Sequence, residues 1–211
     1  MPSLTPIISL TIQVSGTALI LAALLGLPTG ALLGLAEFRG RRVLQLIIST
    51  GMGLPPVFVG LLVYLLLSRE GPLGALDWLF TVPAMIIAQT ILAFPIAAGL
   101  TAAAVRSVPP ELVLQVRSLG ADPWQERWTI LLQARRGVLA AVLAAFGRII
   151  AEVGAVMLVG GNIAGKTRVL STAIVLETRQ GNFEFAIMLG LVLLGLALVG
   201  NALFLRLERT P

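Results

Sequence analysis

Two ionisable side chains stand inside an otherwise apolar stretch, Arg148 and Glu152, in the run Gly147-Arg148-Ile149-Ile150-Ala151-Glu152-Val153-Gly154. Four residues apart, they share a face if the run is helical and can pair. A charge deep in a bilayer costs at least about 2.5 kcal/mol on insertion scales, so it needs a partner or a task. Two readings fit: a structural ion pair that locks its helix against neighbours, or an arginine that faces a pathway and attracts an anion while Glu152 holds it. Gly147, Ala151 and Gly154 are expected on an adjacent face, where small residues let another helix come close. Downstream, Asn162, Lys166, Thr167, Arg168, Ser171, Thr172 and Glu177 form a second polar group, either a solvated loop or a gate. Backbone N–H groups of Gly160-Gly161-Asn162 can contact an anion. These glycines are not taken as a nucleotide loop: the Gly-x-x-x-x-Gly-Lys-Ser/Thr spelling is expected to fail here, which assigns any ATP hydrolysis to another chain.

The chain has no cysteine and no histidine. That excludes thiol chemistry, disulfides, cysteine or histidine metal sites and histidine acid–base catalysis. No catalytic residue and no metal ligand is assigned.

Apolar residues make up 57% of the 211 residues and charged residues 12%, with mean hydropathy +0.98. A soluble domain carries roughly 25% charged residues. So little charge cannot cover a water-facing surface, and the excess apolar area must face membrane lipid. The net charge of +5 is not read as a nucleic-acid footprint, because the arginines sit in short loops as topology signals. No cleaved signal peptide is expected: nothing basic precedes the first apolar run, which is far longer than a signal-peptide core. The fold class is an all-α membrane protein, residues 1–211 forming a single transmembrane domain.

Spanning the hydrocarbon takes roughly 20 apolar residues. Five stretches qualify: 7–35, broken at Gly26-Leu27-Pro28; 43–67, containing Pro55 and Pro56; 82–105, containing Pro95; 137–159; and 183–205. The prolines free backbone carbonyls and permit bends that gating can use; Pro95 is read as an ordinary kink. Alternate loops share a side, and one side collects ten basic residues against four on the other. The positive-inside rule places Glu37–Arg42, the loop 106–136 and the C-terminus in the cytoplasm, and the N-terminus outside. An extra interfacial helix before the first span would also fit.

The loop 106–136 is neither low-complexity nor a plain linker. Pro109-Pro110 followed by Glu111 suits a helix start. Leu112, Val113, Val116 and Leu119 make an apolar stripe, and Gly120 ends the helix. Asp122-Pro123 starts a second helix, which carries Trp124 and Trp128. Such an element either rests on the headgroups or inserts into a groove on another protein.

The run Ser118-Leu119-Gly120-Ala121-Asp122-Pro123-Trp124 resembles the cytoplasmic coupling motif of ABC-importer permeases: Glu-Ala-Ala, three residues, then glycine. Here Leu114, Gln115 and Val116 occupy the Glu-Ala-Ala positions, a departure at the acidic one. The runs Gly147–Ala155 and Gly160–Ile163 resemble the oxyanion branch of these permeases. Thr167–Ile174, with Glu177-Thr178 and Gly181-Asn182-Phe183, resembles the tungstate permeases. So do Leu54–Gly60 and Gly71-Pro72-Leu73-Gly74.

The resemblance implies a type I ABC-importer permease fold in the cell inner membrane. The function it implies is ATP-driven import of an oxyanion, tungstate first, with molybdate or sulfate as alternatives. An ATP-independent anion transporter is the rival from another class, and a membrane scaffold without transport a further one. It also implies a homodimer with the pathway between two copies, separate ATPase subunits that hold ATP and magnesium, and an extracytoplasmic oxyanion-binding protein. Glu111, Leu114, Gln115, Val116, Gly120, Ala121 and Trp124 would couple to the ATPase. Arg148, Glu152, Asn162, Thr167, Arg168, Pro55 and Pro56 would line the pathway or its gate.

Overall fold

The apolar run near the N-terminus forms one helix, α1 (Leu4–Leu35), which passes through Pro28 without breaking. This corrects the break expected at Gly26-Leu27-Pro28. Thr29 Oγ1 donates to the Leu25 carbonyl at 2.7 Å, so a neighbouring carbonyl finds a donor beside the proline. The glycines serve packing instead. Gly26, Gly30 and Gly34 recur every fourth residue and turn one stripe toward α4 (Val82–Arg106). A Cβ at Gly26 would meet Ala97 Cβ at 2.8 Å, and one at Gly34 would meet Val105 Cγ1 at 2.5 Å. Without a hydrophobic drive between helices in lipid, this close backbone approach is what holds the pair.

The computed structural model describes residues 4–209. The remaining helices are α2 (Arg41–Met52), α3 (Pro56–Leu67), α5 (Pro110–Ser118), α6 (Pro123–Gln133), α7 (Arg135–Ile150), α8 (Gly154–Gly160), α9 (Leu170–Arg179) and α10 (Phe183–Arg209), with a single 3-10 turn at Gly74–Leu76. Among the described residues, α1, α4 and α10 are long and apolar enough to cross a membrane. Two bent pairs raise the number to as many as five: α2 with α3, turning by 105°, and α6 with α7, turning by 56°.

The run 43–67 is therefore not one straight helix. Gly53, Leu54 and Pro55 separate α2 from α3, since Pro56 lacks the N–H that would continue α2 and instead begins α3. The run 137–159 is also divided: α7 stops at Ile150 and α8 restarts at Gly154. Pro95, by contrast, lies within an unbroken α4 and packs its ring against Gly51, whose Cβ would come within 2.9 Å of it.

α4 is the most enclosed of the long helices and α10 the least. Around α4, Val14, Ala18 and Ala22 of α1, Val59 and Val63 of α3, Ala145 and Ile149 of α7, and Ala155, Val156 and Val159 of α8 form the main core. At one end of α1, Ile7 packs with Leu170, Ala173 and Leu189. At the other, Leu35 packs in the cluster of Val105, Ile130 and Ala134. These ends stand apart by about 48 Å, the length of a 32-residue helix at 1.5 Å per residue.

Candidate functional site

The break between α7 and α8 exposes backbone groups that lipid cannot satisfy, and non-helical backbone survives at membrane depth only when protein supplies partners. Helices α4 and α9 supply them, and a further bond ties α1 to the start of α9. Gln89 Nε2 on α4 donates to the Ile149 carbonyl at 3.1 Å. The Glu152 carboxylate accepts from the Ala155 N–H at 3.1 Å, and Ser171 Oγ on α9 donates to the Glu152 carbonyl at 2.8 Å. Thr11 Oγ1 on α1 accepts from the Leu170 N–H at 2.9 Å while donating to Ile7 O. Sequence reasoning missed Gln89, Thr11 and the role of Ser171. Its available signal was a carboxamide or hydroxyl inside an apolar run.

The expected pair is present. Arg148 Nη1 lies 3.5 Å from Glu152 Oε2. The Glu152 side chain is 4% exposed and that of Arg148 35%. The pair does not share a helix face, because Glu152 lies past the end of α7, and Gly147, Ala151 and Gly154 do not form one packing face. A Cβ at Gly147 would meet open space, Ala151 is exposed, and a Cβ at Gly154 would come within 2.7 Å of Val57 Cγ2. Glu152 is thus fixed from two sides, and Arg148 keeps an accessible guanidinium. Pro55 and Pro56 stand at the start of α3, close in sequence to Val57.

Past α8, Thr167 is buried and staples the loop 161–169: its Oγ1 accepts from the Ile163 N–H at 2.9 Å and donates to the Gly160 carbonyl. That makes it a support of the loop rather than a group facing an opening. Arg168 Nη2 donates to the Asn162 carbonyl at 3.4 Å, and Asn162 holds φ +51°. Gly160–Thr167 does spell Gly-x-x-x-x-Gly-Lys-Thr, contrary to the expectation. A phosphate loop needs a strand before it and a helix opening at its lysine. Here helix α8 precedes it, α9 begins only at Leu170, and Thr167 is committed to its own loop. The spelling carries no nucleotide site.

At the far end of α1, α5 and α6 form a hairpin around Gly120. Gly120 holds φ +83°, where a side chain strains the backbone although nothing lies within 4 Å of a Cβ. Asp122 Oδ1 accepts from Trp124 N at 2.8 Å and Gln125 N at 2.9 Å, and Gln125 Oε1 accepts from Asp122 N at 2.9 Å, a complete capping box. Arg117 grips Glu126 with two bonds of 2.6 and 2.8 Å, tying α5 to α6. Glu111, Leu114, Gln115 and Trp124 are exposed, Trp128 beside them as well, and Val116 and Ala121 are half-buried. Leu119 leaves the expected apolar stripe: it caps α5 and is 81% exposed. The hairpin therefore presents apolar groups outward on a stiffened corner.

Residues 26–210 match the family model described as binding-protein-dependent transport system inner membrane component. The chain belongs to this family. As such it is the membrane permease subunit of an ABC transport system and not itself an enzyme, the ATPase being a separate chain. A probable anion ABC transporter permease protein of Haloferax volcanii is 46% identical over 99% of this permease and 94% of its own length. The tungstate uptake system permease protein TupB of Peptoclostridium acidaminophilum is 40% identical over 98% of this chain and 91% of its own. More distant, the molybdenum transport system permease protein ModB of Escherichia coli K12 is 29% identical over 78% of this chain and 75% of its own. A chain of the inward-facing MetNI methionine ABC transporter superposes with TM-score 0.74 at 19% identity, covering 95% of this permease and 94% of that chain. It shares the fold, that of type I ABC-importer permeases.

The permease's hairpin has a built-in acid limit. The hydrogen bond from Arg117 holds the Glu126 carboxyl below its ordinary value, and Glu126 raises Arg117 in turn. A carboxyl lowered on folding contributes stability above its ordinary value, and that stability is lost as pH falls through the lowered one. Trp124 and Trp128 fluorescence should hold steady from neutral pH down to the ordinary carboxyl value of 4.5 and change below it. Glu126→Gln should abolish that acid transition.

Proposed function

We propose that this permease imports a divalent tetrahedral oxyanion, tungstate before molybdate or sulfate, as a homodimer with the pathway between the copies. The observation that carries this reading is whole-length similarity to a protein named as a tungstate uptake permease, at higher identity than to a molybdenum permease. The chain's own chemistry agrees with it. A partly accessible Arg148 attracts the anion, and the buried Glu152 beside it keeps the affinity low enough for release. Outward faces of α10 and the open surface at Gly147 suit lipid and a second copy.

In this reading the hairpin α5–α6 docks on the ATPase subunits, which hold ATP and magnesium, and an oxyanion-binding protein delivers cargo at the opposite end. Glu111, Leu114, Gln115, Gly120, Ala121 and Trp124 form the docking surface, with Val116 behind it. Leu114 and Leu119 replace polar contact with apolar burial. Gly120→Ala costs about 1–2 kcal/mol, because a Cβ disfavours positive φ. It should weaken ATPase association and lower transport while leaving membrane insertion intact.

Two measurements test the proposal. The permease should copurify with its ATP-binding cassette ATPase subunit when the two are co-expressed; purification always alone contradicts it. Single cysteines in this cysteine-free chain report sidedness. Leu114→Cys should react with an impermeant maleimide only after permeabilisation, and Gln180→Cys in intact cells. The reverse pattern overturns the orientation.

A further inference from the structure

Between the first turns of α1 and the loop 161–169 lies a cleft of about 390 Å³ lined by Ser9, Gln13, Lys166 and Arg168 among apolar neighbours. Ser9 and Gln13 are four apart on α1, so both turn to one side. Among the described residues no carboxylate lines the cleft. Among the described residues neither Lys166 nor Arg168 has a carboxylate within 4.0 Å, whereas Arg41, Arg117 and Arg148 each do. Arg168 spends Nη2 on the Asn162 carbonyl, but its Nε is buried with no hydrogen-bond partner. The guanidinium therefore keeps donor capacity that no protein acceptor uses. The first described turn of α1 is also here, at the positive end of its dipole.

From these features we infer that the cleft is an anion-binding site that takes a small tetrahedral divalent oxyanion at the end of the permease remote from the α5–α6 hairpin. Lys166 supplies a point charge. Arg168 supplies a planar donor edge that matches two oxygens of a tetrahedral anion. Ser9 and Gln13 donate from the α1 side. The recess fits a small ion better than a folded surface, and four donors without an acidic residue leave nothing to repel a double negative charge. Neither Arg148 nor Glu152 lines this cleft. The site rests on the oxyanion reading above, and it adds a place where the anion waits before entering the pathway.

The test uses the full-length permease in nanodiscs at low salt, without ATPase or binding protein. Equilibrium dialysis against sodium tungstate, read by mass spectrometry of tungsten, should show saturable binding. Lys166→Gln/Arg168→Gln should weaken it at least ~tenfold, the loss of two charge-assisted contacts. Lys166→Arg should retain it, and Arg69→Gln, an exposed cation elsewhere, should leave it unchanged. Lys166 is exposed, so Lys166→Gln alone should elute like the parent protein and still weaken binding, which keeps the test decisive if the double variant misfolds. Absent saturable binding, or equal binding by Lys166→Gln, overturns the site. So does loss of binding-protein docking in the double variant with tungstate binding intact, which would mark a seat for a partner's carboxylate. ATP-driven uptake by the parent protein without measurable binding overturns the site alone. Absence of uptake overturns the proposed function instead.

Discussion

Leucine at position 30 is expected to abolish the folded permease. Gly30 sits in the middle of the α1 stripe, where an added Cβ would strike the Ala98 backbone carbonyl and come within 2.7 Å of Thr101 Cβ. The first obstacle is backbone, so no rotamer change relieves it, and α1 must move off α4. Overpacking costs about 1–3 kcal/mol where side chains can shift, and more where they cannot. Here the whole helix seam opens, and α4 is the element on which α1, α3, α7 and α8 assemble. Gly30→Leu should give no monodisperse peak in fluorescence-detected size exclusion. Gly147→Ala provides the contrast: nothing lies within 4 Å of a Cβ there, and its peak should match the parent's. A normal Gly30→Leu peak would contradict the packing described here.

Replacing Glu152 by alanine should be the second large effect. The substitution removes the acceptor of the Ala155 N–H and the partner of Arg148 together. Leaving the buried Ala155 N–H without its acceptor costs about 1–3 kcal/mol, and the loss of charge pairing to the partly exposed Arg148 adds to it. Glu152→Gln should cost less, because its amide oxygen still accepts from Ala155 and the cation left behind is the partly exposed member of the pair. Arg148→Gln separates the two roles of that pair. With the arginine on the pathway, the variant elutes as folded protein and transports poorly per folded molecule. With a purely structural pair, thermal stability falls and transport per folded molecule holds. The account predicts the first result, from uptake normalised to monodisperse permease.

The all-helical class, the apolar runs and the Arg148–Glu152 pair were legible because length, hydropathy and charge are local properties. The hairpin was legible through Pro110, Gly120 and Asp122, each of which acts within its own turn. What escaped was the path of the chain. A hydropathy window cannot distinguish one helix from α2 and α3 folded by 105°, since both halves are equally at home in lipid. The same window merged α7 with α8, and the partners that make their break tolerable come from residues as distant in sequence as Gln89 is from Ile149. Gly26 was visible but misjudged: beside Pro28 it suggested a break, whereas the four-residue spacing with Gly30 and Gly34 was the packing signal. Gly160–Thr167 shows the opposite error: the Gly-x-x-x-x-Gly-Lys-Thr spelling was overlooked, though without a strand before it and a helix at its lysine it makes no nucleotide site.

As proposed, this permease moves tungstate inward, driven by ATP hydrolysed in a partner. Reconstitution of the permease with its ATPase in liposomes, ATP on the hairpin side and loaded binding protein on the other, tests it directly. Tungsten should accumulate in the compartment on the hairpin side only when ATP and binding protein are both present, with molybdate competing weakly. Accumulation without ATP, or a preference for sulfate or molybdate over tungstate, would contradict the account.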